Sequence, residues 1–211
     1  KPSCRGGGWQ SWNRNRFPLR NFKPFVINKN KKRALFLDRD GTLIRDAHYL
    51  KDPAKLEIIP GIADLLLEVR KAGYLLFMHT NQSGIARGYY DWSDVHACNL
   101  HMHHEFGWPT DFFSEVCISP ELPEEAGGYR KPSPRFEEEM IIKFDLDSQQ
   151  CWVIGDKWID PQTGLSAGMR GALVKTGKPI DKNTHEKAWQ ADVPIYHSLA
   201  EFVIEEIQIN E

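Results

Sequence analysis

Short apolar runs that alternate with helical patterns restrict the possible folds of this chain more than any other feature of its sequence. Five runs are almost continuously apolar, as is typical of parallel strands that are covered on both faces. A sixth, weaker candidate lies at 194–197. The five main strand candidates are 34–37, 75–80, 115–119, 151–155 and 172–175.

The segments between these runs carry apolar residues at helical spacing. Asp91 or Ser93 is expected to cap the second helix, and Gly107 to end it. Because strands and helices alternate, we predict an α/β fold with a doubly wound parallel sheet, in which ligands bind beyond the carboxyl ends of the strands. The helices are predicted within 60–74, 91–107, 133–146, 160–169 and 199–208.

Polar residues follow four of the predicted strands. The carboxyl ends of parallel strands meet at one edge of the sheet, so these residues are expected to converge there. Taken singly, each is an ordinary loop residue or helix cap, but four such loops together indicate a site. Its members are Asp38 and Asp40, Thr80 and Asn81, Arg130 and Lys131, and Asp156, Lys157 and Asp160.

This set of side chains suits phosphoryl transfer. Asp38 can attack phosphorus as a carboxylate, and Asp40 can protonate the leaving oxygen and then activate water. A Mg²⁺ ion held by Asp38, Asp156 and the backbone carbonyl of Asp40 would remove the repulsion between carboxylate and phosphate. Lys131 would neutralise the remaining phosphoryl charge, and Thr80 would donate a hydrogen bond to a phosphoryl oxygen.

Composition sets the wider limits. A chain of 211 residues suits one domain, with or without an appendage, and a net charge of −2 does not favour nucleic-acid binding. Four cysteines without a CxxC pair suit a reducing compartment. No run of about 18 apolar residues and no signal-like apolar segment occurs, so a cytoplasmic protein without a membrane span is expected.

The first 33 residues carry ten lysines and arginines and no acidic residue, interleaved with Trp and Phe. We interpret 1–32 as an arm whose aromatic residues pack on a domain formed by 33–211. The alternative is an arm that contacts nucleic acid or a partner subunit, but nothing in the rest of the chain favours nucleic acid. A monomer or weak oligomer is expected.

The segments "DRDGT", "TNQ", "RKP" and "GDKWID" resemble, in order, the four motifs of the haloacid dehalogenase (HAD) superfamily of phosphohydrolases. Over about 33–205 the chain is similar in particular to the heptose-bisphosphate phosphatase and histidinol-phosphatase family. The resemblance implies a Rossmann-like fold, the catalytic and Mg²⁺-binding roles given above, and Asp160 as a support for the metal ligands. It also implies substrate contacts from Asp46, Tyr49, Asn81, Gln82, Ser83, Arg130 and Lys157.

The resemblance breaks at a zinc-binding loop that the family usually carries. Cys117 is present, but Ser119, Gly127 and Tyr129 stand where a His and two Cys would be, so we predict no zinc. The histidines of "HACNLHMHH", 96–104, are interpreted as part of a solvated helix face. The predicted elements fill the intervals between the first three motifs, and therefore no cap domain is expected.

These observations predict a Mg²⁺-dependent phosphatase of a small phosphorylated metabolite. A heptose bisphosphate is the favoured substrate, and Arg130 is the candidate for binding its second phosphate, because a planar guanidinium pairs well with phosphate oxygens. The alternatives are a phosphatase of histidinol phosphate or another sugar phosphate, and a catalytically silent binding protein on the same fold.

Overall fold

The computed structural model of the protein describes residues 31–125 and 127–208. Its centre is a six-stranded sheet in the order β3-β2-β1-β4-β5-β6, and every neighbouring pair of strands is parallel. This arrangement confirms the predicted doubly wound sheet, with the strand order reversing at β1. The strands are β1 Arg33–Leu37, β2 Tyr74–Asn81, β3 Glu115–Ser119, β4 Trp152–Gly155, β5 Arg170–Val174 and β6 Ile195–Tyr196.

The helices lie on both faces of the sheet. All five predicted helices are confirmed, but a sixth, α5, was missed because its sequence KNTHEKAWQ is largely polar and buries only Ala188. The π-helical turn Val203–Ile207 continues α6, and short 3₁₀ turns occupy Pro53–Lys55 and Ser148–Gln150. The helices are α1 Ala63–Lys71, α2 Trp92–Phe106, α3 Arg135–Phe144, α4 Ile159–Ser166, α5 Lys182–Gln190 and α6 Leu199–Phe202.

Side chains alternate between the two faces of a strand, and the apolar run of β1 contributes to a hydrophobic core on each face. Leu35 and Leu37 belong to the core cluster that includes residues of α1, α2 and α6. Ala34 and Phe36 belong to the opposite cluster, where Phe36 stacks on Phe77 with ring centroids 4.5 Å apart. Both faces of β1 are therefore covered, and the first polar position after Leu37 emerges at the open edge of the sheet.

Helix α2 begins and ends as predicted. Asp91 accepts hydrogen bonds from the backbone N–H groups of Ser93 and Asp94, and the Asp94 side chain accepts one from the Asp91 N–H, which completes a capping box. Gly107 ends the helix with a φ of 65°, a left-handed conformation that glycine adopts without strain. The caps fix both ends of a helix whose Asn99 contacts Arg39, two residues after the end of β1.

The described intervals between β1 and β2, and between β2 and β3, contain single helices, turns and loops. They hold no inserted cap domain, in agreement with the expectation from spacing. No helix among the described residues is long and apolar enough to cross a membrane. The predicted arm lies outside the described residues as far as residue 30.

Candidate active site

A buried lysine joins two of the predicted motifs at the end of β1. Lys131 Nζ lies 2.7 Å from Asp38 Oδ1 and 2.6 Å from Asp160 Oδ1, and it donates a hydrogen bond of 2.7 Å to the backbone carbonyl of His79. Burial alone would lower the pKa of Lys131, but the charges of Asp160 and Asp38 outweigh it and raise that pKa above its usual value. The lysine is therefore a permanent cation at this site.

Asp156 follows β4 and lies under two loops. Its Oδ1 accepts a hydrogen bond from Lys157 Nζ at 3.0 Å, and its Oδ2 accepts one from the Lys178 backbone N–H at 2.8 Å. A methyl group on Gly41 would lie 2.6 Å from this carboxylate, and one on Gly177 only 2.1 Å away. Both positions therefore need glycine, because any side chain would displace the carboxylate.

The residues present fit a divalent cation. Carboxylate oxygens of Asp38, Asp156 and Asp160 lie within 4.8 Å of one another, and all three residues are buried. Burial raises the pKa of Asp156, and the negative charge of the nearby Asp38 raises it further. A set of hard oxygen donors with surplus negative charge is the environment that Mg²⁺ prefers. Among residues 31–125 and 127–208, no other group of His, Cys, Asp or Glu side chains has this geometry.

Asp40 points into a network of donors. Arg39 Nε lies 3.0 Å from its Oδ2 and Arg39 Nη2 lies 3.2 Å from its Oδ1. Gln82 Nε2 donates to the Asp40 Oδ2 at 2.8 Å and to Thr80 Oγ1 at the same distance. Thr80 Oγ1 itself lies 3.5 Å from Asp40 Oδ2. Asp40 and Thr80, predicted from separate motifs, therefore share one small cluster.

Two residues predicted to contact substrate use their amide groups internally. Asn81 Nδ2 donates to the backbone carbonyl of Lys131 at 3.1 Å, and its Oδ1 accepts from the Lys131 N–H at 3.0 Å. Gln82 is almost fully buried, and its Oε1 accepts a hydrogen bond from the Tyr90 hydroxyl at 2.7 Å. The Asn81 amide therefore holds the backbone of Lys131, and the Gln82 amide holds the Asp40 carboxylate. Ser83 is half-buried at the start of the turn that follows.

Two further residues predicted to contact substrate, Asp46 and Tyr49, lie in the loop that follows the Asp38–Asp40 motif. Asp46 Oδ2 lies 3.6 Å from Lys157 Nζ and 3.3 Å from Lys178 Nζ, which places two cations beside the carboxylates. Tyr49 adopts a φ of 60°, a left-handed conformation that is strained for a residue with a side chain, and its ring packs edge-on against Tyr89. Strain of this kind is common at binding loops.

Arg130 lines a cleft of about 320 Å³ beside Lys131. The volume lies at the lower end of the range usual for small-molecule sites, ~300–1,000 Å³. Arg130 Nη1 donates to the backbone carbonyl of Glu121 at 3.0 Å, which leaves other guanidinium donors for a ligand. Burial lowers the pKa of Arg130, and the nearby charge of Glu121 counters part of that effect.

The loop that resembles a zinc site is closed by a carboxylate in this chain. Glu121 accepts a hydrogen bond from the Ser119 hydroxyl through Oε2 and one of 3.0 Å from the Tyr129 N–H through Oε1. A methyl group on Gly128 would lie 2.2 Å from Glu121 Oε1, so a side chain at this position would push the glutamate away from its two partners. Burial raises the pKa of the Cys117 thiol to about 12, so the thiol stays protonated at neutral pH.

Sequence reasoning missed several residues of the site. Arg39 was given no role, although it lies within the motif "DRDGT", is 1% exposed and contacts Asp40. Asn99 and Tyr90 were missed because only the fold brings them to Arg39 and Gln82. The segment "TGKP", 176–179, was also missed, although its place after a predicted strand could have indicated that it lies close to Asp156.

Comparison with known proteins places these features in a family. A family model described as HAD-hydrolase-like matches residues 128–202. The D-glycero-beta-D-manno-heptose-1,7-bisphosphate 7-phosphatase of Haemophilus ducreyi is 34% identical over 169 residues, which cover 74% of this chain and 91% of that enzyme. The D-glycero-alpha-D-manno-heptose-1,7-bisphosphate 7-phosphatase of Burkholderia mallei is 36% identical over 151 residues, covering 68% and 80%.

A similar solved structure is that of D,D-heptose 1,7-bisphosphate phosphatase from B. bronchiseptica, complexed with magnesium and phosphate. It matches with a TM-score of 0.72 and 25% sequence identity, over 84% of this chain and 99% of that chain. Sequence and fold therefore point to the same group of proteins.

Proposed function

This chain belongs to the haloacid dehalogenase superfamily of phosphatases, and we propose that it is a Mg²⁺-dependent enzyme that removes the 7-phosphate of D-glycero-D-manno-heptose 1,7-bisphosphate. The observation that carries the proposal is the Asp38 carboxylate at the end of β1, 2.7 Å from the buried cation of Lys131. The named activity of the relatives supports the choice of substrate. Residues 33–211 would form the catalytic domain, and the arm 1–32 is assigned no part in the reaction.

The proposed reaction has two steps. In the first, an oxygen of Asp38 forms a bond to phosphorus while the bond to the sugar oxygen breaks, and the Asp40 carboxyl group gives its proton to that oxygen. In the second, the Asp40 carboxylate takes a proton from water as the water oxygen bonds to phosphorus and the bond to Asp38 breaks. Free phosphate leaves, and both carboxyl groups return to their starting forms.

The other residues would bind charge and keep it in place. Lys131, which contacts the Asp38 carboxylate, would neutralise a phosphoryl oxygen, and the Thr80 hydroxyl would donate to another. Mg²⁺ would be held by Asp38, Asp156 and the backbone carbonyl of Asp40, and it would supply charge neutralisation when bound. Asp160, which contacts Lys131 and the Lys157 N–H, would keep the cations in position.

The proposal is tested by phosphate release from a panel of substrates with and without Mg²⁺. Heptose 1,7-bisphosphate of each anomer, sugar monophosphates, histidinol phosphate and a generic aryl phosphate would be ranked by kcat/KM. The highest value is expected for a heptose bisphosphate. Preference for histidinol phosphate would favour that alternative, and no release from any of them would favour a silent binding protein.

Arg130→Ala is expected to raise KM for the bisphosphate by about tenfold to a hundredfold, the loss of one charge-assisted phosphate contact worth ~1.5–3 kcal/mol. KM for a monophosphate should change little. Arg135→Ala is the matched control, because Arg135 is a neighbouring arginine that pairs with Glu139 on the surface. Equal losses on both kinds of substrate would contradict a role in second-phosphate binding.

We expect no structural zinc. The ends of the loop are already joined by Glu121, and the one thiol there, Cys117, is buried and protonated. Elemental analysis of the purified protein should show substoichiometric zinc, and Cys117→Ser should keep the wild-type kcat. One tightly held zinc per chain, lost on substitution of Cys117, would overturn the prediction.

A further inference from the structure

Arg39 is a buried arginine for which the proposed reaction has no role. It lies between the two candidate catalytic aspartates in the sequence, and it is only 1% exposed. A buried guanidinium must be paired and hydrogen-bonded, because leaving it without partners costs several kcal/mol. Its carboxylate partner is Asp40, which it contacts through both Nε at 3.0 Å and Nη2 at 3.2 Å. Two parallel contacts of this kind fix direction as well as distance.

The far side of Arg39 is held by helix α2. Arg39 Nη1 donates a hydrogen bond of 2.9 Å to Asn99 Oδ1. Asn99 lies midway along α2, whose first turn is closed by the capping box of Asp91 and Asp94. The guanidinium is therefore a rigid link between a helix of the core and the Asp40 carboxylate.

A second link reaches Asp40 from the turn after β2. Gln82 Nε2 donates to Asp40 Oδ2 at 2.8 Å, and the Tyr90 hydroxyl donates to Gln82 Oε1 at 2.7 Å. A methyl group on Gly84 would lie 2.2 Å from the Tyr90 ring, so glycine makes room for this tyrosine. Asp40 is thus held from two directions, by Arg39 with Asn99 and by Gln82 with Tyr90.

We infer that Arg39, braced by Asn99, is the positioning residue that aims the Asp40 carboxyl group at the leaving oxygen and later at the attacking water. This inference rests on the proposed function. Proton transfer needs heavy atoms within hydrogen-bond reach in a defined direction, and Asp40 lies at the start of the turn at 41–43, where the backbone alone leaves its side chain free to rotate. The guanidinium removes that freedom. Arg39 itself does not contact the reacting atoms.

The test exploits leaving groups that differ in their need for a proton. A sugar alkoxide leaves poorly unless Asp40 protonates it, whereas the phenolate of p-nitrophenyl phosphate leaves unaided. The ratio kcat/KM covers only the steps up to departure of the leaving group. In Asn99→Ala and Arg39→Lys, kcat/KM for a sugar phosphate should fall by ~10²-fold, within the usual contribution of general acid catalysis. For p-nitrophenyl phosphate, kcat/KM should stay near the wild-type value while kcat falls, because hydrolysis of the aspartyl-phosphate still needs Asp40.

A double-mutant cycle separates positioning from simple support of the fold. Asp40→Asn should show the same dependence on the leaving group, and adding Asn99→Ala to it should cause little further loss. Equal losses of kcat/KM on both substrates, or an undiminished effect of Asn99→Ala in the Asp40→Asn background, would overturn the inference. Asn99→Ala keeps the charge pair intact, so it is the variant to use if Arg39→Lys does not fold.

Failure of the proposed function gives a different result. In that case the wild-type protein would release phosphate from neither substrate, and the inference about Arg39 would also be wrong. A crystal structure of Asn99→Ala provides a readout that does not depend on turnover. The Asp40 carboxylate is expected to occupy more than one rotamer there. A single, unchanged Asp40 rotamer together with a displaced Arg39 would contradict the positioning role even in an active enzyme.

Discussion

Asp38→Asn is expected to reduce kcat by ~10⁴-fold or more, the scale seen when a catalytic nucleophile is removed. An amide has nearly the same shape as a carboxylate but lacks the charge that attacks phosphorus. The fold should tolerate the change. Lys131 keeps Asp160 as a partner at 2.6 Å, and removal of the Asp38 charge relieves the repulsion that, after burial, raises the pKa of Asp156.

Two measurements check the role of Asp38. Phosphate release should be lost in Asp38→Asn and retained in Asp145→Asn, a matched change at an exposed aspartate that pairs with Lys31. Acid-quenched wild-type enzyme should gain the mass of one phosphoryl group on the peptide that contains Asp38, and the variant should not. Turnover by Asp38→Asn near the wild-type rate, or a phosphoryl group on another residue, would refute the assignment.

The parts of the fold that could be predicted from the sequence are those set by local patterns. The run Ala34–Leu37 is apolar on both faces, so it had to be an interior strand, and Asp38 had to emerge at its carboxyl end. Helix α2 could be delimited because Asp91 and Gly107 are local cap signals. Helix α5 could not be recognised, because it buries a single alanine and its Trp189 is 75% exposed.

The parts of the site that depend on distant pairings were beyond sequence reasoning. Arginine is usually a surface residue, so nothing in "DRDGT" indicates that Arg39 is buried. Only the packing of α2 brings Asn99, 60 positions away in the sequence, into contact with it. Asn81 was predicted to contact substrate, yet its amide pairs with the backbone of Lys131, 50 positions away. Local sequence predicts which side chains reach the edge of the sheet, and their hydrogen-bond partners follow from topology.

Lys131→Met is expected to lower both activity and stability. Methionine has a similar length but no charge, so Asp38 and Asp160 would lose their shared cation in a fully buried site. Removing one partner of a buried ion pair typically costs ~3–5 kcal/mol of the free energy of unfolding. Because phosphoryl charge would also lose a donor, kcat should fall by ~10²–10³-fold. Lys143→Met, at an exposed lysine that pairs with Glu115, should cost only ~0–1 kcal/mol.

A compensating variant separates the two effects of Lys131. In Lys131→Met combined with Asp160→Asn, the uncompensated buried charge on Asp160 is gone, so urea denaturation without Mg²⁺ should show most of the lost stability restored. Activity should stay low, because neither substitution returns a cation to the phosphoryl site. Mg²⁺ should stabilise Lys131→Met more than the wild-type protein, since the metal offsets the carboxylate charge that Lys131 no longer balances. Full recovery of kcat in the double variant would show that Lys131 serves only the fold.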